Sequence, residues 1–216
     1  MKTDADIRHD VELELQWDPS IDSTRIGVIV HNGVATLTGE VSHYSARLAA
    51  EYIAKRVRGV RAIANDLKIS MPMAGIRTDT DIAEAAANAL HWNVTVSGAQ
   101  IKPAVEDGWI TLTGTVGFGF QKTAVENAVR HLIGVKGVIN DITVISAGKV
   151  DDVKRKIEEA FKRQATLDAK DITVRAEDST ITLMGHVHTW QEHDDAARAA
   201  WAAPGVTKVE NRLVIQ

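Results

Sequence analysis

One segment is written three times along this chain, and this repeat constrains the fold more than any other feature. Each copy alternates large apolar residues with smaller ones, reaches a glycine and adds one further apolar residue. The copies are Val34–Val41, Ile110–Val116 and Ile181–Val187. The alternation is typical of a β-strand with one buried face.

Further positions keep register with the glycines of this segment. Those glycines lie 75 and 71 residues apart, at Gly39, Gly114 and Gly185. A second glycine follows 20 residues after each, at Gly59, Gly134 and Gly205. An asparagine follows 26 residues after each, at Asn65, Asn140 and Asn211. Shared offsets at this many positions predict three tandem homologous domains. We place them at residues 1–70, 77–146 and 149–216, joined by linkers of which the first contains Pro72 and Gly75 and is the better hinge candidate.

Each unit opens with an amphipathic helix. In the first unit Ile7, Val11 and Leu15 recur four residues apart, which puts one apolar stripe on a helix from about Asp4 to Trp17. Asp6, Asp81 and Asp152 occupy one column near the helix starts, where a carboxylate can accept backbone N–H bonds.

Two strands, a second helix and a third strand complete each unit. The Asn-Gly pair at 32–33 and the Asp-Gly pair at 107–108 are typical of tight hairpins. In the first unit we predict the second helix over 45–58, with Gly59 as its C-cap. The order α-β-β-α-β predicts an α+β fold, a two-layer sandwich in which two helices cover a three-stranded sheet. We expect the first strand to be central in a split β-α-β arrangement.

The strand pattern Val/Ile-x-Leu-x-Gly-x-Val and the closing pattern Gly-Val-x-x-Val-x-Asn-x-Leu resemble the BON domain, named for bacterial osmotically inducible and nodulation proteins. The resemblance covers nearly the whole chain, with Ile63 and Ile142 as conservative replacements in the closing pattern. It implies non-enzymatic modules that bind phospholipid or other envelope components, in envelope and stress-response proteins, secretins and some channels. The repeated glycines fall on the family's motif, and we expect them to serve backbone geometry rather than a ligand.

Charge and composition exclude several classes of function. A net charge of −4 argues against a general nucleic-acid binder. The absence of cysteine excludes disulfides, cysteine nucleophiles and thiolate zinc sites. We find no nucleophile elbow and no phosphate-binding glycine loop, and therefore predict no enzymatic activity and no cofactor.

The start of the sequence as written bears on location. It lacks the apolar core of about 7–15 residues that a secretory signal needs. The resemblance implies export for the osmotically inducible relatives. Because the sequence as written lacks such a signal, we expect a cytoplasmic location. The family resemblance makes a periplasmic location the alternative.

Seven residues that differ between the units are candidates for binding. They are Lys55, Arg56, Arg58, Arg61, Trp109, Phe118 and Phe120. The cations can meet phosphate headgroups, or they can simply complement the negative end of the second helix. The aromatic side chains can form an exposed patch for insertion into a membrane or partner, or they can be buried against a neighbouring unit. For Trp17 and Trp92, which share a column, we expect packing in the core or between units.

Two further groups of side chains are weaker candidates. His186, His188 and His193 form the only metal-like group, but the other units lack it and we predict surface histidines without a metal. A basic cluster over 154–163 is interleaved with Glu158 and Glu159, so a self-paired helix face is expected there.

Our leading hypothesis from the sequence is a set of tandem BON-like domains that associate with phospholipid or membrane surfaces in osmotic or general stress protection. Protein partners are a further expectation, and nucleic acid is not a predicted partner. The alternative is a soluble protein-interaction scaffold with no lipid role.

Overall fold

The computed structural model describes residues 2–71, 76–96, 99–145, 153–163 and 171–215. Each repeat has the predicted order α-β-β-α-β. The first comprises α1 (Asp4–Trp17), β1 (Ile26–His31), β2 (Val34–Val41), α2 (Tyr44–Lys55) and β3 (Ala62–Ile69). The second comprises α3 (Asp79–His91), β4 (Gln100–Glu106), β5 (Trp109–Val116), α4 (Gly119–Val129) and β6 (Gly137–Val144). The third comprises α5 (Val153–Arg163), β7 (Ile172–Glu177), β8 (Thr180–Val187), α6 (Trp190–Trp201) and β9 (Lys208–Ile215).

The second strand of each repeat, not the first, is the central one. The sheet orders are β1-β2-β3, β4-β5-β6 and β7-β8-β9. In the first repeat β2 pairs antiparallel with β1 and parallel with β3. Our expectation of a central first strand was wrong, because the tight hairpin occupies one side of β2 and the helical crossover returns β3 to its other side. The segment that the sequence repeats is therefore the middle of each sheet.

The apolar stripe of the first helix is buried, as predicted. Ile7, Val11 and Leu15 are the buried residues of α1. They pack into a core with Leu37 from β2 and Ile53 from α2. The third repeat has its own core, built around Ile157, Phe161, Ile181 and Leu183. Each of these cores lies between the two helices and one face of its sheet, so the two-layer sandwich is confirmed.

The second glycine is not a helix C-cap. Helix α2 ends at Lys55, and its C-cap residue is Arg56, whose backbone has the right-handed helical conformation. Gly59 follows in the next turn with φ 101°, where a Cβ would lie 2.9 Å from Cδ1 of Ile7. The predicted helix end at residue 58 was therefore too late. The glycine is needed because this turn lies against the side chain of Ile7 on α1.

The glycine of the central strand marks the closest approach of two backbones. Gly39 has φ 113°, and a Cβ there would lie 2.0 Å from the carbonyl oxygen of Arg25. The same distance is 2.1 Å at Gly114 and 2.0 Å at Gly185. Real Cβ atoms do not approach other atoms this closely, and the φ value is one that other residues adopt only with strain.

A carboxylate at the helix start holds the hairpin turn. The N–H groups of Asn32 and Gly33 donate to the carboxylate of Asp4, at 2.7 and 3.0 Å. In the second repeat, Asp79 accepts from Asp107 and Gly108, both at 2.8 Å. These bonds link the first helix of a repeat to the β-turn, whose residues have positive φ as the predicted hairpins require.

The repeated asparagine ties the last strand to the second helix. The side-chain amide of Asn65 donates to the carbonyl of Arg47 at 3.1 Å and to the Glu51 carboxylate at 3.2 Å. Asn140 and Asn211 bond equivalent helix carbonyls, each at 3.0 Å. A partly buried amide needs hydrogen-bond partners, and in every unit this asparagine finds one on the second helix. The contact therefore explains why asparagine recurs in this column.

The contacts group the described residues into two units. One contains residues from 1–85, 105–110 and 130–138, and the other contains residues from 86–104, 111–129 and 139–216. The middle repeat contributes to both. In the part of the chain that the structure describes, no helix has the length and apolar character needed to cross a membrane. Pro72, Gly75, Asp152 and the second linker at 146–149 lie outside the described residues.

Replacement of the central-strand glycine should strongly destabilise the first repeat. We expect Gly39→Ala to lower its free energy of unfolding by about 3 kcal/mol, because a Cβ meets the Arg25 carbonyl and φ is unfavourable. Urea unfolding followed by circular dichroism measures this. Gly117→Ala is the control, because a Cβ there meets nothing closer than Gln121 Oε1 at 3.7 Å. Equal effects of the two substitutions would contradict this account.

The helix–hairpin bond should make stability depend on acid pH. Hydrogen bonds from the backbone of Gly33, then of Asn32, lower the pKa of Asp4 below its ordinary value of 3.8. A lowered folded-state pKa adds stability above pH 3.8 that is lost as the pH falls through the folded pKa. We therefore expect the stability difference between wild type and Asp4→Asn to shrink on acidification from neutral pH.

Urea unfolding of both proteins at a series of pH values tests this. Asp66→Asn, at an exposed carboxylate on β3, is the control and should track the wild type. A difference for Asp4→Asn that stays constant with pH would show that the carboxylate charge does not matter at the turn.

Candidate functional site

Two apolar side chains, Leu13 and Trp17, are exposed at the C-terminal end of α1, and we call this pair the apolar step. The side chain of Trp17 is 86% exposed and that of Leu13 is 48% exposed. Both lie off the buried stripe, because residues two positions from Leu15 or Val11 point to the opposite side of a helix. Our expectation that Trp17 packs in the core was wrong, and it was also wrong for Trp92, which is 81% exposed.

Two basic residues that follow the end of α2 line the same groove as Leu13 and Trp17. Arg56 and Arg58 are both exposed and, with Val57 between them, form one wall of a surface groove of about 500 Å³. The groove is lined by Lys2, Asp10, Leu13, Glu14, Trp17, Arg56, Val57 and Arg58. We call this the α1–α2 groove. Of its two acidic residues, Asp10 is already paired with Lys2.

The sequence predicted the arginines of this groove but missed its apolar part. The sequence pattern could have shown it. The i, i+4 stripe of α1 ends at Leu15, and Trp17 lies two residues later, on the opposite side of the helix, where it faces solvent. Only the first repeat combines the two features in sequence. The columns of Trp17, Arg56 and Arg58 hold Trp92, His131 and Ile133 in the second repeat, and Arg163, Ala202 and Pro204 in the third.

Two of the predicted cations serve the fold of the first repeat. Lys55 bonds Glu51 at 2.8 Å, with both side chains about two-thirds buried or more. Burial raises the pKa of Glu51, but the hydrogen bonds from Lys55 and Asn65 outweigh it and leave the pKa lowered. Arg61 bonds the carbonyl of Gly33 through its backbone N–H at 2.8 Å, and its side chain lies across that glycine. Of the four predicted cations, only Arg56 and Arg58 line the α1–α2 groove.

Trp109 lies flat on a glycine of the neighbouring strand. A Cβ at Gly137 would lie 2.2 Å from Cζ3 of the indole, so the ring occupies the space that a side chain would fill. The indole is still 43% exposed. This position of Trp109 leaves one face of the ring to solvent while the other covers backbone.

Phe118 and Phe120 form an exposed stacked pair at the start of α4. Their ring centroids are 5.7 Å apart with an interplanar angle of 22°, and the side chains are 54% and 56% exposed. Gly119 between them is buried, and a Cβ there would lie 2.3 Å from the indole of Trp201. The indole of α6 thus packs on the glycine and leaves the two phenyl rings pointing to solvent.

The three histidines do not form a metal centre. Among the described residues no group of three or more His, Asp or Glu side chains is placed to hold a metal ion. His186 and His188 are exposed. The ring of His193 contacts Trp190 edge-on at 5.1 Å and lies 3.1 Å from the carboxylate of Asp194.

The basic cluster on α5 is paired along its own helix. Lys154 lies 3.7 Å from Glu158, and Arg155 lies 2.7 Å from Glu159. Both are i, i+4 pairs on an exposed face. This neutralised face contrasts with the groove arginines of the first repeat.

Three small α+β modules in tandem, each with a central glycine-bearing strand, define the class of protein. A model of the BON domain matches residues 3–71, 78–146 and 149–216. The chain therefore belongs to the BON domain family, in three tandem copies, as the sequence motifs indicated.

Three curated relatives show similarity of about the same strength. The chain is 29% identical over 143 residues to osmotically-inducible protein Y of Escherichia coli (strain K12), covering 64% of this chain and 71% of that protein. It is 28% identical over 126 residues to a 21 kDa hemolysin of Actinobacillus pleuropneumoniae, covering 57% and 64%. It is 27% identical over 139 residues to outer membrane lipoprotein DolP of Haemophilus influenzae, covering 63% and 72%.

A solved structure also aligns with the chain over its full length. It is the C-terminal domain of CdsD, a structural protein of the type III secretion system of Chlamydia trachomatis, at 14% identity and a TM-score of 0.27. This TM-score is too low to support any structural argument.

Mutation should separate the paired Lys55 from the exposed Arg56. We expect Lys55→Met to lower the stability of the first repeat by about 1 kcal/mol, because it removes the ion pair with the largely buried Glu51. Arg56→Met, at an exposed position on the groove wall, should change stability by less than about 0.5 kcal/mol. Urea unfolding of the two variants measures both effects, and a larger loss for Arg56→Met would reverse our assignment.

Proposed function

We propose that this protein is a non-enzymatic binding module that associates with anionic phospholipid or membrane surfaces in osmotic or general stress protection. The observation that carries the proposal is the α1–α2 groove, where an exposed tryptophan and leucine lie beside two exposed arginines. An indole favours the boundary between water and lipid, and arginine favours phosphate.

The charges of the groove suit a weak and salt-sensitive contact. Its lining contains three basic residues, Lys2, Arg56 and Arg58, and two acidic ones, Asp10 and Glu14. Each basic residue near an anionic surface contributes about 1 kcal/mol within a Debye length. The apolar step adds a contribution that salt does not screen, so binding combines a screened and an unscreened part.

The middle repeat supplies further aromatic contacts in this proposal. Trp109 and the Phe118–Phe120 pair are exposed apolar side chains of the middle repeat. Linked weak contacts on one chain bind more strongly than separate ones, because the second binding event is intramolecular. Of the residues proposed from the sequence, Arg56, Arg58, Trp109, Phe118 and Phe120 remain candidates, and Trp17 and Leu13 join them.

The names of the relatives favour the cell envelope as the place of action. One relative is an outer membrane lipoprotein and another is osmotically inducible. We therefore propose an envelope location, and the comparisons give no support to our expectation of a cytoplasmic one. A soluble scaffold for protein partners is the second candidate, favoured by exposed apolar side chains on the sheet such as Ile29, which is 61% exposed.

Vesicle binding tests the proposal directly. We expect the protein to co-sediment with vesicles of anionic phosphatidylglycerol at low salt, and less well at high salt or with zwitterionic vesicles. Trp17→Ala should weaken binding at least ~5-fold, because burying part of an aromatic side chain is worth about 1 kcal/mol or more. The double charge reversal Arg56→Glu/Arg58→Glu should weaken it by about tenfold or more.

The chain provides its own matched control. Trp92→Ala removes an equally exposed tryptophan from the same column, where the arginine columns hold His131 and Ile133. We expect it to bind like the wild type. No binding to anionic vesicles at low salt would refute the lipid proposal and leave the scaffold, whereas equal losses for Trp17→Ala and Trp92→Ala would refute the α1–α2 groove as the site.

A further inference from the structure

The first strand of each repeat forms one of the two edges of its sheet. Because the sheet orders run β1-β2-β3, β4-β5-β6 and β7-β8-β9, strands β1, β4 and β7 each lie at a sheet edge. Edge strands carry backbone groups that can pair with another strand, and proteins usually protect them with proline or charge. The three edges can therefore be compared column by column.

Two of the three edges carry such protection. In β4, Pro103 occupies the column of Val28, with Lys102 before it and Glu106 at the strand end. In β7, Arg175 occupies the column of Ile29, and Glu177 ends the strand. Strand β1 reads Ile-Gly-Val-Ile-Val-His and contains no proline, lysine, arginine or acid. The edge of the first repeat thus lacks the protection of its two homologues.

The register shows which backbone groups of β1 face outwards. A two-residue turn joins β1 to β2, so the flanking pair His31 and Val34 is the first hydrogen-bonded pair. Hydrogen-bonded pairs then alternate, and Val28 and Val30 point their N–H and C=O groups away from β2. Pro103 stands in the column of Val28, so the second repeat lacks the donor that the first repeat directs outwards.

The side chains of β1 complement a second copy of the same strand. In an antiparallel pair centred on Val28, residue 27 of one copy lies opposite residue 29 of the other. Ile29 is 61% exposed, and Gly27 has no side chain, so each isoleucine would cover the opposite glycine. No charged side chain of β1 opposes another in this register. A pair of β7 strands would instead place two Arg175 side chains across the same dyad.

We propose that the protein forms a symmetric dimer through antiparallel pairing of β1 with β1 of a second copy. The two Val28 residues bond each other through both backbone groups, and each Val30 N–H donates to the opposite Ile26 carbonyl. The Ile26 N–H stays with Ser23, whose carbonyl it already bonds. The two three-stranded sheets then continue as one sheet across the dimer axis. A self-complementary contact of this kind closes at two copies.

Sedimentation of the full-length chain from about 1 µM to 1 mM tests the dimer. We expect a monomer–dimer equilibrium in the wild type. Val28→Pro, which copies the second repeat, should weaken it by about tenfold or more through loss of the central bonds. Ile29→Arg, which copies the third repeat, should do so as well, and it tests the proposal should Val28→Pro fail to fold.

Val174→Pro is the matched control, because it makes the same change in β7 and should leave the equilibrium within about twofold. Amide hydrogen exchange adds a local readout, in which the N–H groups of Val28 and Val30 should become slower to exchange as the concentration rises. A wild type that stays monomeric over this range overturns the proposal. A dimer that is unaffected by both Val28→Pro and Ile29→Arg overturns it too.

Discussion

Each repeat depends on the close backbone approach at the glycine of its central strand. A Cβ at Gly39 would lie 2.0 Å from the carbonyl oxygen of Arg25, the residue just before β1, and the two homologous distances are 2.0 and 2.1 Å. The central strand also pairs with both of its neighbours, antiparallel on one side and parallel on the other. A side chain at this point would therefore disturb the hairpin and the sheet together. This is why the faithfully repeated segment reports on the scaffold rather than on a ligand.

The remaining repeated columns join the layers of the sandwich. Asp4 and Asp79 connect the first helix of a repeat to its hairpin turn, and Asn65 connects the second helix to the last strand. Both groups make hydrogen bonds to backbone polar atoms of another element of the same repeat. Because backbone geometry is the same in every repeat, these side chains recur, whereas surface positions are free to differ.

The differences between the repeats are where specificity can arise. The first repeat has the α1–α2 groove and an uncharged edge strand, and the middle one has Trp109 and the Phe118–Phe120 pair. The third pairs several of its charges internally, and Glu210 on β9, for example, bonds both Lys208 and Arg212 at 2.6 Å. Three modules of one fold thus expose different side chains, with an amphipathic groove in the first, aromatic residues in the second and paired charges in the third.

The sequence by itself determined the number of repeats, the order of their elements, the buried stripe of α1 and the hairpin turns. These follow from local rules, since helical and strand periodicity, Asn-Gly turns and glycine columns depend on residues near one another in the chain. Only the tertiary structure decided that the second strand is central, because pairing partners are set by contacts far apart in sequence. It likewise decided the environment of each site residue. Lys55 is held by Glu51, and Trp17 is exposed beside Arg56, because burial and charge depend on which elements pack side by side in space.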